Sequence, residues 1–305
     1  MKTPLKAEPP QKVSFFLPPL RHYEVPSAPS WDGCGAFAVS VTGDQCQLMC
    51  KHCGGSILKN MTPVRTPEAL KKAAEGIVRK GGKSILVSGG SAEDGTVPLL
   101  PFMPVLKEIR AVWGLKILVH TGLVQENLAD ALADSPIDGA LLDIIGDNDT
   151  ISQVCHLPAS VENFEKSLRL LTERSIPTAP HVIMGLHFGR IRGEYQALEM
   201  IRSFPIKTLV LVGFRPIPNT AFSSIKPLDP EAMGELFVFA RKRFPEIPVV
   251  VGCERPIGRH RRQVDRLALE AGLDGIAFPS EEGIQWAKNK GLRVNFFGDC
   301  CALID

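Results

Sequence analysis

An excess of charge of one sign is missing from this chain: 35 Lys and Arg against 33 Asp and Glu leave a net charge of +2. The one basic cluster is short, Arg259, His260, Arg261 and Arg262, so nothing calls for a nucleic-acid footprint. No apolar run approaches the ~18 residues that a membrane-crossing helix needs. Residues 1–11, rich in Pro and Lys, lack the apolar centre of a secretion signal. A cytoplasmic location with no membrane partner is therefore expected. Internal repeats and low-complexity tracts are lacking too, which leaves a packed core rather than a stacked array. Hydrophobic residues make up 44% and charged residues 22% of the 305 positions, close to the globular average. That length is about two average domains, yet α/β barrels use it for one.

Proline is densest in the first thirty residues, at Pro9, Pro10, Pro18, Pro19, Pro26 and Pro29. Residues 1–30 accordingly read as an extended arm packing on the remainder, because Pro-rich segments neither start sheets nor continue helices. Beyond residue 30, short apolar runs alternate with amphipathic stretches. Strands are expected at 36–41, 84–88, 116–120, 139–144, 181–186, 208–213, 248–252 and 275–279. Several are almost wholly apolar, as parallel strands buried on both faces are. Helices are expected at 67–80, 102–112, 124–134, 161–173, 195–203, 230–243, 262–271 and 281–290. Thr66 is the N-cap of the first, with Pro67 at the first helical position. Eight such units predict an α/β fold, a (β/α)8-type (TIM-like) barrel over residues 31–305, with an open sheet of fewer strands as its rival.

In such a barrel the residues following each strand gather at one mouth, where the chemistry sits. Those positions hold 43–53, 89–94, His120 and Thr121, Asp143, 187–194, 215–220, 253–255 and 280–282. Charged, Cys and Gly residues at the ends of apolar strands are poorly explained by packing. The densest signal is Cys46, Cys50 and Cys53 on the loop leaving the first expected strand. Close cysteine spacing in a reducing compartment points to metal or redox chemistry before disulfides. A four-iron cube has corners only a few Å apart, so three ligands from one curling segment suit it. Gly54 and Gly55 let backbone approach closely. The missing fourth cysteine leaves one iron open. A structural zinc site would need a fourth ligand, with His52 poorly placed between two of the cysteines.

The C-x3-C-x2-C loop after a first barrel strand resembles the signature of the radical S-adenosylmethionine (SAM) superfamily. The resemblance implies a 4Fe-4S cluster on Cys46, Cys50 and Cys53 whose open iron takes the SAM amino and carboxylate groups. One electron, from a ferredoxin- or flavodoxin-type donor, then cleaves SAM to methionine and a 5′-deoxyadenosyl radical that abstracts hydrogen from substrate. Ser88, Gly89 and Gly90 resemble the Gly-Gly-Glu that meets the SAM amino group, with Ser91 in place of the acid and Glu93 or Asp94 as substitutes. Residues 214–220 resemble the Pro-x-Pro-x-Thr of the biotin synthase branch, with Asn219 replacing Gly, and 185–194 resemble that branch's fifth-strand region. Together these favour the biotin synthase and lipoyl synthase neighbourhood, whose sulfur-inserting members consume a second, auxiliary iron–sulfur cluster.

Cys34, Cys253, Cys300 and Cys301 are the candidate ligands of such an auxiliary cluster, since the barrel brings the seventh-strand end, the first-strand start and a folded-back terminus together. Ordinary core thiols are the bland alternative. Cys155, beside His156 in a turn before Pro158, is read as having no metal role. Asp143, closing an apolar strand, is a candidate catalytic residue or a ligand for a ribose hydroxyl or ammonium group. His120 and His187 at the mouth are candidates for contact with SAM and for acid–base work respectively. Arg255, directly after the mouth residues Cys253 and Glu254, is expected to grip the SAM carboxylate. The expected reaction is sulfur insertion into an unactivated C–H bond. The chain resembles the biotin-synthase-like subunit of two-component lipoyl synthases, which implies an octanoyl-lysine on a lipoyl-carrier protein and a second radical SAM subunit. The rivals are a single-cluster methylase, mutase or C–C bond-forming enzyme, and a non-catalytic metal-binding module.

Overall fold

The strand–helix alternation is realised as one sheet of eleven strands, all parallel to their neighbours, in the computed structural model, which describes residues 12–19, 23–29 and 36–304. The strands are β1 (Lys12–Phe16), β2 (Ala36–Ser40), β3 (Thr62–Pro63), β4 (Ser84–Ser88), β5 (Lys116–His120), β6 (Gly139–Asp143), β7 (Thr178–Met184), β8 (Leu209–Gly213), β9 (Val249–Val251), β10 (Gly275–Ala277) and β11 (Arg293–Phe297). Between them run α1 (Pro67–Arg79), α2 (Met103–Trp113), α3 (Glu126–Ala133), α4 (Asn148–Gln153), α5 (Val161–Glu173), α6 (Glu194–Arg202), α7 (Pro230–Arg243), α8 (Arg259–Glu270) and α9 (Glu281–Asn289). Strand order is β11-β1-β10-β9-β8-β7-β6-β5-β4-β2-β3. Eight consecutive strand–helix units thus form the (β/α)8-type wall, lengthened at one end by β1 and β11 and at the other by β3. The helix starts follow the local chemistry: Thr66 Oγ1 accepts from the Ala69 N–H, and Ser160 and Asn163 form a capping box.

The expected arm differs from this picture at β1. Lys12–Phe16 is a strand bonded to β10 on one side and β11 on the other. Its sequence, KVSFF, carries the β-branched and aromatic residues a strand needs, and the prolines after it end the strand rather than prevent it. Residues 23–29 lie against the β10–α9 junction: the Tyr23 hydroxyl donates to the Pro279 carbonyl at 2.7 Å, and Ser27 donates to Glu281 through both its N–H and its hydroxyl.

Strand alternation divides the core in two. Ile85, Val87, Ile117, Val119, Ala140, Leu142, Leu209, Leu211, Val249 and Val251 pack outward under the helices. Their neighbours Leu86, Leu118, Leu141, Ala179, Val210, Val250 and Ala277 point into the barrel. There they meet Cys301, Ala302, Leu303 and Ile304, so the last described residues fill the lumen instead of lying outside it. The 3-10 turn Cys301–Leu303 touches β6, β8, β9 and β10. Asp299 accepts from the Ser84 hydroxyl at 2.9 Å, which fixes the entry to that plug.

Two Arg–Asp struts brace the opposite end of the strands. Asp138, just before β6, accepts from the Ile117 N–H at 2.6 Å and pairs with Arg110 of α2. Asp274, just before β10, accepts from the Val249 N–H at 2.8 Å and pairs with Arg241 of α7.

Candidate active site

The cysteine loop leaves β2 and is held down by its neighbours rather than by a rigid element of its own. Thr42 Oγ1 donates to the Gln45 carbonyl and accepts from the Gly90 N–H at 2.7 Å, while the Gln47 N–H donates to the Ser91 carbonyl at 2.9 Å. Gly90 is buried against the loop. A Cβ there would stand 2.7 Å from the Cys46 Cα and Cβ and closer still to the Gln45 carbonyl oxygen. The glycines after β4 therefore give the cysteine loop its seat.

Cys50 is buried, and Cys46 and Cys53 are half-buried. Contact with Cys155 and burial push the Cys50 thiol far above its ordinary value, although Cys53 opposes this. Contact with Cys50 and burial push Cys53 up to about 12. Both are neutral thiols in the metal-free chain, so a metal or cluster seated here displaces protons. Three thiols on one short loop and a glycine seat beneath them fit an iron–sulfur cluster.

Cys155, expected to be uninvolved, lies beside the triad. The turn after α4 docks on the cysteine loop: the Lys51 N–H donates to the Val154 carbonyl at 2.8 Å, Cys50 Sγ to the Cys155 carbonyl at 3.4 Å, and His156 Nδ1 meets the Leu48 carbonyl at 3.2 Å. Nothing in the local sequence announces this contact across about a hundred residues.

At the mouth end of the lumen stand Ser88, His120, Asp143 and His181, all on the inward side by strand alternation. His120 Nε2 is 3.9 Å from Asp143 Oδ1, and the His120 and His181 rings meet edge-on at 5.8 Å. Removal from water first, and the neighbouring His120 second, push His181 down to about 4. Its Nδ1 sits 2.9 Å from the Ala179 carbonyl. A neutral ring must donate there, which leaves Nε2 as a bare acceptor. His181 is not among the expected mouth residues; the strand register that pairs it with Asp143 brings it in.

Two other expected residues take different places. Arg255 does not reach toward a ligand: it is 0% exposed, with Nε and Nη2 donating to Asp265 Oδ1 and the remaining donors to the Gly252, Ala277 and Phe278 carbonyls. All five N–H groups are spent inside the protein, which corrects the expected SAM contact. His187 Nδ1 lies 3.0 Å from Thr150 Oγ1, within a network of Asp147, Asp149 and Arg192 that caps α4. Burial first, then Arg192, lower its proton affinity.

Cys253, Cys300 and Cys301 come together at the lumen plug. Cys301 is 2% exposed, and contact with Cys253 first and Cys300 second pushes its thiol well up, while Cys300, accepting from Cys301, is pushed down. Cys34 lies outside the described residues.

The family model described as the Radical SAM superfamily matches residues 40–190, spanning the cysteine loop, the glycine seat and the His120–Asp143 pair. Among solved structures, the chain resembles the methylornithine synthase PylB (13% identity, 80% of this chain and 71% of that one, TM-score 0.56). It also resembles the FeFe-hydrogenase maturase HydG from Carboxydothermus hydrogenoformans (13%, 88% and 59%, 0.57) and Streptococcus suis SuiB bound to S-adenosylmethionine (12%, 72% and 50%, 0.55). The chain thus spans 59% and 50% of the length of the last two, and at these identities the likeness is one of fold. No curated protein matches significantly. Among the described residues no helix is long and apolar enough to cross a membrane. With a three-cysteine loop inside the matched residues 40–190 of an open α/β barrel, the chain belongs to the radical SAM superfamily, an enzyme family that works with a 4Fe-4S cluster and SAM.

Proposed function

We propose that this radical SAM enzyme inserts sulfur into an unactivated C–H bond of an acyl chain, an octanoyl group on a carrier protein, in partnership with a second radical SAM subunit. One observation carries the reading: Cys253 and the adjacent pair Cys300 and Cys301, distant from it in sequence, meet inside the barrel. Packing accounts for the position of the plug but not for three thiols at its meeting point with the β9 end, because an apolar lumen is filled equally well by alanine or valine. With Cys34 they form the ligand set proposed for an auxiliary cluster.

When bound, the clusters supply the electron that opens SAM and the sulfide that the substrate gains. The chain's own residues do the rest. Cys46, Cys50 and Cys53 hold the first cluster, and Gly89 and Gly90 clear the space beside it. Ser88, His120 and Asp143 offer donors and acceptors to the ribose and ammonium groups of SAM. Leu118, Leu141, Val210, Val250, Leu303 and Ile304 keep water out of the lumen, where it would compete for every hydrogen bond and quench reactive species.

The deciding experiment replaces Cys300 and Cys301 by Ser and reconstitutes the protein anaerobically. Reductant-dependent 5′-deoxyadenosine release should persist, iron should fall from about eight to about four per chain, and sulfur transfer to an octanoylated carrier peptide should cease. Four irons in the wild-type chain, with SAM cleavage intact, would discard sulfur insertion in favour of a single-cluster methylase, mutase or C–C bond-forming reaction.

A further inference from the structure

Cys50 Sγ, Cys155 Sγ and a His52 ring nitrogen lie within 4.8 Å of one another, Cys50 and Cys155 buried and His52 half-buried. We infer that these three residues form a mononuclear site for a thiophilic divalent ion, iron(II) or zinc(II), occupied when no cluster is seated and incompatible with one.

The spacing favours a single ion. Metal–sulfur bonds of about 2.3 Å and metal–nitrogen bonds of about 2.0 Å put tetrahedral ligand atoms about 3.5–3.8 Å apart, so these side chains need close in by only about 1 Å. The second observation is independent of spacing. His52 Nδ1 is buried without a hydrogen-bond partner, a vacancy that is unfavourable and calls for an explanation. A metal–nitrogen bond removes that cost. The third is how firmly Cys155 is presented: three contacts between residues 154–156 and the cysteine loop hold its turn against Cys50.

Two sulfurs and one imidazole leave a fourth position for water, the donor set that first-row ions with affinity for thiolate accept. Binding balances simply: the ion enters, the Cys50 and Cys155 thiols each release a proton to solvent, and no electron moves. Cys50 then serves either the single ion with Cys155 and His52, or the cluster with Cys46 and Cys53. Cys155 is thereby a holding ligand that keeps the empty loop metallated and closed to oxidation. The placement of His52 between two cysteines, unhelpful for a zinc site confined to the loop, becomes useful once Cys155 comes from the turn after α4.

The test uses the full-length, cluster-free chain under anaerobic conditions, titrated with cobalt(II) as a spectroscopic probe. Tetrahedral thiolate-bound cobalt has intense visible bands and sulfur-to-metal charge transfer that need no turnover. Wild type should show these bands for one ion, displaced by zinc(II) and, in a separate arm, by iron(II). Cys155→Ser and His52→Gln should each weaken cobalt binding at least tenfold, whereas Cys46→Ala, which removes a cluster ligand, should leave it unchanged. The inference is overturned if Cys46→Ala abolishes the bands while Cys155→Ser preserves them, because the ion then uses the cluster triad. It is equally overturned if His52→Gln and Cys155→Ser, both with wild-type circular dichroism, bind cobalt as tightly as wild type. Failure here leaves the radical SAM reading untouched, since that reading depends on Cys46 and not on Cys155.

Discussion

Replacing Arg255 by Met tests whether that residue holds the barrel together or the cofactor. Its guanidinium and the Asp265 carboxylate are both 0% exposed, and Asp265 Oδ2 also accepts from the Ser280 N–H at 2.6 Å. The pair ties the end of β9, through Gly252, to the end of β10, through Ala277 and Phe278, and to the start of α9. Met fills much of the same volume, so the change is chiefly electrical: a buried carboxylate loses its counter-charge and three carbonyls lose a donor. Breaking a buried pair from one side costs about 3–5 kcal/mol, a large share of a typical total of about 5–15 kcal/mol. Urea unfolding should therefore show a lower midpoint with an unchanged slope. Arg255→Lys should fall between wild type and Met, because an ammonium group cannot reproduce the two-pronged contact with Asp265. Adding Asp265→Leu to Arg255→Met should recover part of the loss, since no lone charge then remains buried. SAM affinity measured on the folded fraction should stay at the wild-type value. A loss of stability below about 1 kcal/mol, or SAM affinity that drops while stability holds, would refute the structural assignment and return Arg255 to the cofactor.

Gly90→Ala should lower the iron retained after anaerobic reconstitution, read as absorbance near 400 nm, because the added methyl displaces Cys46; the accompanying overpacking cost is about 1–3 kcal/mol. His181 is held at about 4 in the folded chain against 6.5 unfolded. The unfolded chain then binds the extra proton between those values, and stability is complete above pH 6.5 and declines as pH falls toward 4, by roughly 3 kcal/mol at most. His181→Gln should flatten that acid limb in urea titrations at stepped pH. Asp274→Ala removes the carboxylate that receives the Val249 N–H and Arg241, and should cost about 1–3 kcal/mol in thermal unfolding. Its SAM cleavage per folded molecule should be unchanged, since the strut stands at the end of the strands away from the mouth.

Much of the barrel was legible because a parallel strand buried on both faces cannot hide its composition. The runs at β4, β5, β6, β8 and β9 are almost continuously apolar, and the eight long helices carry an apolar stripe. What escaped was short or set in misleading surroundings: β1 among prolines, β11 with its exposed and half-exposed alternation, and the six-residue α4. The cysteine loop was readable because its three cysteines are neighbours in sequence. Side-chain direction was not: following a strand places a residue at the mouth, but Arg255 turns back into the wall while His181, three residues short of its strand's end, faces the lumen. The docking of Cys155 on Cys50 depends on loop packing that no periodicity encodes.

The lumen plug was nevertheless written into the strands in a form that composition alone conceals. A barrel holding only a polar cofactor would line its whole interior with hydrogen-bonding groups. Here the inward positions are polar at the mouth, at Ser88, His120, Asp143 and His181, and apolar one layer below, at Leu86, Leu118, Leu141, Ala179, Val210 and Val250. At about 25 cal/mol per Å², such a layer is unfavourable in contact with water and requires an apolar filler. Cys301, Ala302, Leu303 and Ile304 supply it. That same demand carries Cys300 and Cys301 to Cys253, so the hydrophobic effect that closes the barrel also assembles the second group of thiols.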